Sequence, residues 1–134
     1  MQNPGPPTVL YDADCGFCRW ALAKLLAWDR GGQLRAVAIG SPEGQLLLAD
    51  LSEQEREASW HFVEPDGART SAGTAAVPLL HHLPGGGPAA GLLARFPAAT
   101  ERLYAAIAGR RSKLGRLIGE GARRRADARI AGRK

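Results

Sequence analysis

The chemistry of this chain concentrates in one short run, Tyr11-Asp12-Ala13-Asp14-Cys15-Gly16-Phe17-Cys18, which holds both of its cysteines. A Cys-x-x-Cys spacing lets two sulfurs close a small disulfide ring, and it serves redox exchange best where the first cysteine opens a helix. There the unpaired backbone N–H groups and the positive end of the helix dipole stabilise a thiolate. Cys15 is therefore the candidate nucleophile. Cys18, one turn further on, is the candidate resolving thiol that attacks a mixed disulfide. Asp12 and Asp14 flank the pair. A carboxylate beside a thiol raises its pKa whereas the helix end lowers it, so the two influences oppose one another at Cys15. Either aspartate can instead cap the helix. Asp14 is read here as the cap and Asp12 as a proton relay toward Cys18. Phe17, between the cysteines, either packs or forms part of an apolar docking surface.

Two thiols are also half a zinc site, which His61, His81 and His82 could complete. Spacing argues otherwise: there is no His-x-x-x-His pair, neighbouring residues diverge by about 100° on a helix, and His61 falls in a hairpin. The reading calls for no metal and no other bound cofactor. Trp20, Trp28 and Trp60 are read as packing residues.

A pair of this kind needs a strand to end, and a helix to begin, at the cysteines. Residues 8–11, Thr-Val-Leu-Tyr, form a β-prone run after a Pro/Gly-rich lead over 1–7. Residues 15–28 lack Gly and Pro after Gly16, and Cys18, Leu22, Leu25 and Trp28 recur at helical spacing. The alternating segment 34–39 predicts a second strand, parallel to the first because a helix separates them. Ser41 caps and Pro42 starts a short second helix, and Ser52 with Glu55 fits a capping box for another brief turn. Residues 60–63 and 68–71 flank the tight turn Pro65-Asp66-Gly67 and read as a β-hairpin. A helix is expected over 74–83, then a flexible loop over 84–88. A long helix follows over 97–118 with Leu103, Ile107, Leu114 and Ile118 on one stripe, weakened by Gly109 and Gly115. The fold class is thus α/β, a four-stranded mixed sheet with extra C-terminal helices.

Asp-x-Asp-Cys-x-x-Cys after a short strand, then a basic amphipathic helix, an Asp-Arg turn and a strand, resembles the DCC-type thiol-disulfide oxidoreductase family, relatives of thioredoxin. The resemblance covers residues 9–118 and is strongest over 10–18. Weaker support comes from 34–42, from Pro65-Asp66-Gly67 and from Arg110-x-x-x-Leu114-Gly115. It implies a thioredoxin-like domain over 8–121, a redox-active centre that cycles through a Cys15–Cys18 disulfide bond, and no bound cofactor. Its motif maps onto Asp12, Asp14, Cys15 and Cys18, with Ala13 standing where glycine is expected. Gly16, Phe17, Tyr11 and Ser59 are the candidate docking residues. Thioredoxin-like enzymes usually place a cis-proline just before the hairpin. Here the corresponding stretch, Arg56-Glu57-Ala58-Ser59-Trp60, has none, so docking against Cys15 is expected to differ from that of thioredoxin.

Composition bounds the rest. A chain of 134 residues suits one domain, and 24 of its residues are alanine, so the core is modest and helix-walled. Two cysteines cannot staple a secreted scaffold. The apolar runs are too short for a membrane span, the first residues lack the pattern of a signal peptide, and a cytoplasmic setting is the expectation. The formal charge of +5 is unevenly spread: ten of the 18 Lys and Arg lie in residues 109–134, against only Glu120 and Asp127. Residues 122–134 are read as a basic, disordered tail. The partners expected are a protein disulfide or a low-molecular-weight thiol, with an unidentified reductase. The alternative is a non-catalytic binding module with a regulatory disulfide, its tail contacting nucleic acid or an acidic partner. No aromatic residue is interleaved in the tail, which argues against single-strand binding.

Overall fold

The computed structural model describes residues 6–133. Four strands form one mixed sheet in the order β2-β1-β3-β4, from β1 (Thr8–Tyr11), β2 (Arg35–Ala38), β3 (His61–Val63) and β4 (Arg69–Ser71). β1 runs parallel to β2, with Thr8 opposite Arg35, and antiparallel to β3, with Leu10 opposite His61; β4 returns antiparallel to β3. The expected fold class, a thioredoxin-like α/β arrangement with added C-terminal helices, is the one observed. Of the expected flexible lead, residues 1–5 lie outside the described residues. Pro6 and Pro7 are held, because the Pro7 carbonyl accepts the Arg35 N–H at 2.9 Å and the Pro6 carbonyl accepts the Thr8 hydroxyl at 3.0 Å.

β1 is buried on both faces, and its alternation divides the core. Val9 and Tyr11 face the larger cluster, with Leu22, Leu26, Phe62 and Leu79, under α1 (Gly16–Trp28) and α4 (Ala76–His81). Leu10 faces a smaller cluster with Val37, Ile39 and Leu48, at the end of α2 (Pro42–Leu47). Ser41 caps α2 and Pro42 opens it, and a complete Ser52–Glu55 capping box starts α3 (Glu53–Ala58), both as the sequence predicts.

The sequence-based elements depart from the structure in four places. The helix expected over 74–83 begins as a 3-10 turn, Ala72–Ala75, before α4. After the glycine-rich loop comes an unforeseen helix, α5 (Gly87–Arg95). The long helix over 97–118 is two helices, α6 (Pro97–Ala108) and α7 (Arg111–Leu117), broken at Gly109. Leu103 and Ile107, placed on its apolar stripe, are exposed. The face α6 turns inward carries Thr100 and Tyr104 instead, and it crosses the 3-10 turn so closely that a Cβ on Gly73 would lie 3.0 Å from the Thr100 carbonyl.

The fourth correction is the tail. Of the residues expected to be disordered, 122–131 lie in α8 (Glu120–Ala131), packed along α1, and Lys134 lies outside the described residues. Large apolar side chains are scarce there, but Ala126 and Ile130 are buried and Ala23 of α1 is small enough for close approach. An ionic contact completes the seam. Asp29, at the end of α1, is buried, accepts the Leu34 N–H at 2.7 Å and pairs with Arg133 at 2.6 Å. Arg133 also donates to the carbonyls of Asp29, Leu26 and Leu34. With α8 on one flank and the sheet on the other, the buried line of α1 runs through Leu22, Ala23 and Leu26, and Trp28 stays partly exposed with its indole N–H on the Pro84 carbonyl at 2.8 Å. Among the described residues, no helix is long and apolar enough to cross a membrane.

Candidate active site

The cysteines occupy the junction between β1 and α1. After Tyr11 the chain turns on Asp12, whose carboxylate accepts the Asp14 N–H at 2.9 Å and whose carbonyl accepts the Cys15 N–H at 3.2 Å. This Asx turn delivers Cys15 in extended conformation to the first helical turn. The helix cap is Cys15 itself: its sulfur accepts the Cys18 N–H at 3.2 Å. Asp14, the cap expected from the sequence, is exposed, and its carboxylate takes no hydrogen bond among the described residues. The physical reason is register. The helix starts one residue later than an Asp14 cap requires, and the sulfur occupies the position a serine hydroxyl would take.

The two thiols stand in different surroundings. Burial, a hydrogen bond to the Cys15 sulfur and the Cys15 charge push the Cys18 thiol up to about 12, with Arg111 opposing and Asp12 adding to the rise. Cys18 thus stays protonated at neutral pH, on the wall of an apolar cleft of about 160 Å³. Tyr11, Phe17, Ser59, Trp60 and Tyr104 share that cleft. Phe17 also stacks on Trp20, with centroids 6.0 Å apart, so its packing and cleft-lining positions coexist. Cys15 opens instead onto a polar pocket of about 440 Å³ that includes Asp14, Gly16, Arg19, Arg116 and Arg123. Asp12 and Arg111 border both spaces.

All eight residues singled out from the sequence as catalytic or docking candidates therefore line one space or the other. Three neighbours were not foreseen. Trp60 and Tyr104 face Cys18 across the cleft, and burial pushes the Tyr104 phenol up while the Trp60 backbone, the Arg111 charge and the Ser59 hydroxyl pull it down. Arg111 comes from α7, and only the break at Gly109 sets it beside the cysteines. That break, and the Arg110-x-x-x-Leu114-Gly115 pattern around it, are the sequence signals that pointed toward it. Gly115 completes the approach, since a Cβ there would lie 3.4 Å from the Phe17 nitrogen.

The histidines lie elsewhere. His61 is buried, with its Nδ1 2.6 Å from the Ser71 hydroxyl and its Nε2 3.0 Å from the Arg56 carbonyl. His82 lies 3.1 Å from Glu64 and packs against Phe62. Neither lines the pockets that hold the cysteines.

The model of the DCC1-like thiol-disulfide oxidoreductase family matches residues 9–117, most of the chain. The chain belongs to that family. Comparison with curated proteins and with solved structures returned no match. Within this DCC1-like member, the matched span carries all of β1 but Thr8, both cysteines and α7; α8 with Arg123, and Arg133 after it, lie beyond it.

Proposed function

We propose that the protein is a thiol-disulfide oxidoreductase in which Cys15 is the nucleophile and Cys18 the resolving thiol. The observation that carries this reading is the inequality of the two sulfurs: Cys15 at the helix cap in an arginine-lined pocket, Cys18 half-buried on the wall of the apolar cleft and held as a thiol one turn behind it. The attacking species in such an exchange is the Cys15 thiolate. In reducing a disulfide R–S–S–R, this thiolate forms a Cys15–S–R bond and breaks the substrate S–S bond. The departing thiolate takes a proton. Cys18 then gives up its proton and attacks the Cys15 sulfur, forming the Cys15–Cys18 disulfide and expelling the second R–S⁻. Two electrons pass from the dithiol to the substrate, and an external dithiol of an unidentified reductase restores the pair.

Asp12 fits the role of proton acceptor for Cys18, since its carboxylate acts on that thiol and borders the cleft. Asp14 fits a polar rim position beside Cys15. Tyr11, Phe17 and Ser59 fit an apolar docking wall, and Gly16 leaves the approach to Cys15 open. Two cysteines in the whole chain, spaced as a redox pair and not as a structural framework, suit a reducing compartment, the cytoplasm. Turnover of a disulfide substrate with a coupled reductant tests the reading: Cys15→Ser loses it, and Cys18→Ser accumulates a mixed disulfide on Cys15 that mass spectrometry detects. Full activity in Cys15→Ser would overturn it.

A further inference from the structure

Cys15 faces an unusual concentration of positive charge. Arg19 comes from α1, Arg111 and Arg116 from α7 and Arg123 from α8, all on one pocket whose only acidic members are Asp12 and Asp14. Arg19 is partly satisfied by Asp127 at 3.5 Å. Arg111, Arg116 and Arg123 have no carboxylate partner among the described residues. Arg123 is the more telling case. Its Nη2 donates to the Gly115 carbonyl at 2.7 Å, but its Nε is buried without a hydrogen-bond partner. That atom lies 3.8 Å from where a Cβ on Gly16 would sit, between the two cysteines. Arginines without a carboxylate partner, gathered on one pocket, make a site for an anion.

We infer that the disulfide exchanged at Cys15 is a small molecule carrying a carboxylate close to its sulfur, which the arginines of the polar pocket hold. The inference rests on the exchange reading above and names its substrate class. A guanidinium suits this task because its planar fork meets a carboxylate in two parallel hydrogen bonds. The pocket adjoins the apolar cleft through Asp12 and Arg111, so the carboxylate enters the polar side while the carbon stem of the substrate lies toward Phe17. Exchange proceeds by the bond changes already given, the released product being the corresponding carboxylated thiol.

Three disulfides of similar size separate charge from shape: dithiodipropionate, a dianion; bis-hydroxyethyl disulfide, neutral; and cystamine, a dication. Second-order rates with the reduced full chain are divided by the rates of each disulfide with free dithiothreitol, which removes intrinsic reactivity. The expected order is dianion, neutral, dication, with successive steps of about fivefold at low salt that shrink as salt rises. Arg116→Gln, at an exposed position, lowers the dianion-to-neutral ratio, and adding Arg111→Gln lowers it further. Arg124→Gln, outside the pocket, leaves every rate unchanged. Equal normalised rates for dianion and neutral disulfide, or a ratio unmoved in the double variant, would overturn the inference while leaving the exchange reading standing. An advantage confined to an acidic peptide disulfide overturns it also. If none of the three disulfides reacts, the exchange reading fails first and takes this inference with it.

Discussion

The sulfur of Cys15 accepts the backbone N–H of Cys18 at 3.2 Å, so one atom is both the helix cap and the candidate nucleophile. The two roles separate by substitution. Serine caps well, so Cys15→Ser keeps the urea midpoint near that of the reduced wild type while exchange is lost. Cys15→Ala loses exchange and also about 1 kcal/mol of stability. Urea melts of the reduced proteins beside an exchange assay check both halves; equal stability of the two variants would remove the cap.

The Cys18 thiol, pushed up from 9.0 to about 12 mainly by burial, links redox chemistry to alkaline stability. A group whose folded pKa is raised holds its proton more tightly in the folded state, so its contribution is complete below the unfolded value. It is lost as pH rises from about 9 toward about 12. The reduced protein should lose stability over that range, and Cys18→Ala should lose less. Because the Asp12 carboxylate adds to the rise, Asp12→Asn should bring the Cys18 titration down, as read from thiolate absorbance against pH. An unmoved titration removes Asp12 as a proton acceptor.

Asp29 and Arg133 join the end of α1 to the segment beyond α8. Burial pushes the Asp29 carboxyl up, but the Leu34 N–H and Arg133 together outweigh it and hold the group below its ordinary 3.8. Its stabilisation is therefore present above that value and fades as pH falls through the folded pKa. Arg133→Met strands a buried carboxylate and should cost about 3 kcal/mol at neutral pH. The loss should narrow under acid, where Asp29 is neutral in both proteins. Denaturant melts at neutral and acid pH check the sign.

Gly115 lets α7 rest on the first turn of α1. Gly115→Val should displace α7, and Arg111 with it, costing about 1–2 kcal/mol by overpacking and slowing exchange by several-fold. Stability and turnover measured together test this. Unchanged turnover would show that the position of Arg111 does not matter to Cys15.

The first half of the chain was legible because local rules and tertiary packing agree there. Thr8–Tyr11 alternates between two cores, Ser41-Pro42 and Ser52–Glu55 are caps whose donors are close in sequence, and the Cys-x-x-Cys pair sits where strand meets helix. The second half was less so, for three separate reasons. α5 and α6 bury few large side chains, so periodicity misassigned Leu103 and Ile107. α8 is held by alanine packing and by an arginine reaching a carboxylate 104 residues away, a pairing that no local pattern encodes. The site shows the same divide: Cys15, Cys18 and Asp12 were local and visible, whereas Tyr104 and Arg111 reach it only because α6 packs on the 3-10 turn and α7 packs on α1.

β2 is an outer strand, and the N–H groups of Arg35 and Ile39 point inward, to the Pro7 and Tyr11 carbonyls. That of Ala36 points outward, where the Arg133 carbonyl accepts it at 3.1 Å. An open outer strand invites a strand from another molecule to add to it. The segment after α8 therefore does more than clamp a helix. Its hydrogen bond to Ala36 covers part of one edge at which two copies of the sheet could join, and a chain trimmed before Arg133 should self-associate more readily than the full chain.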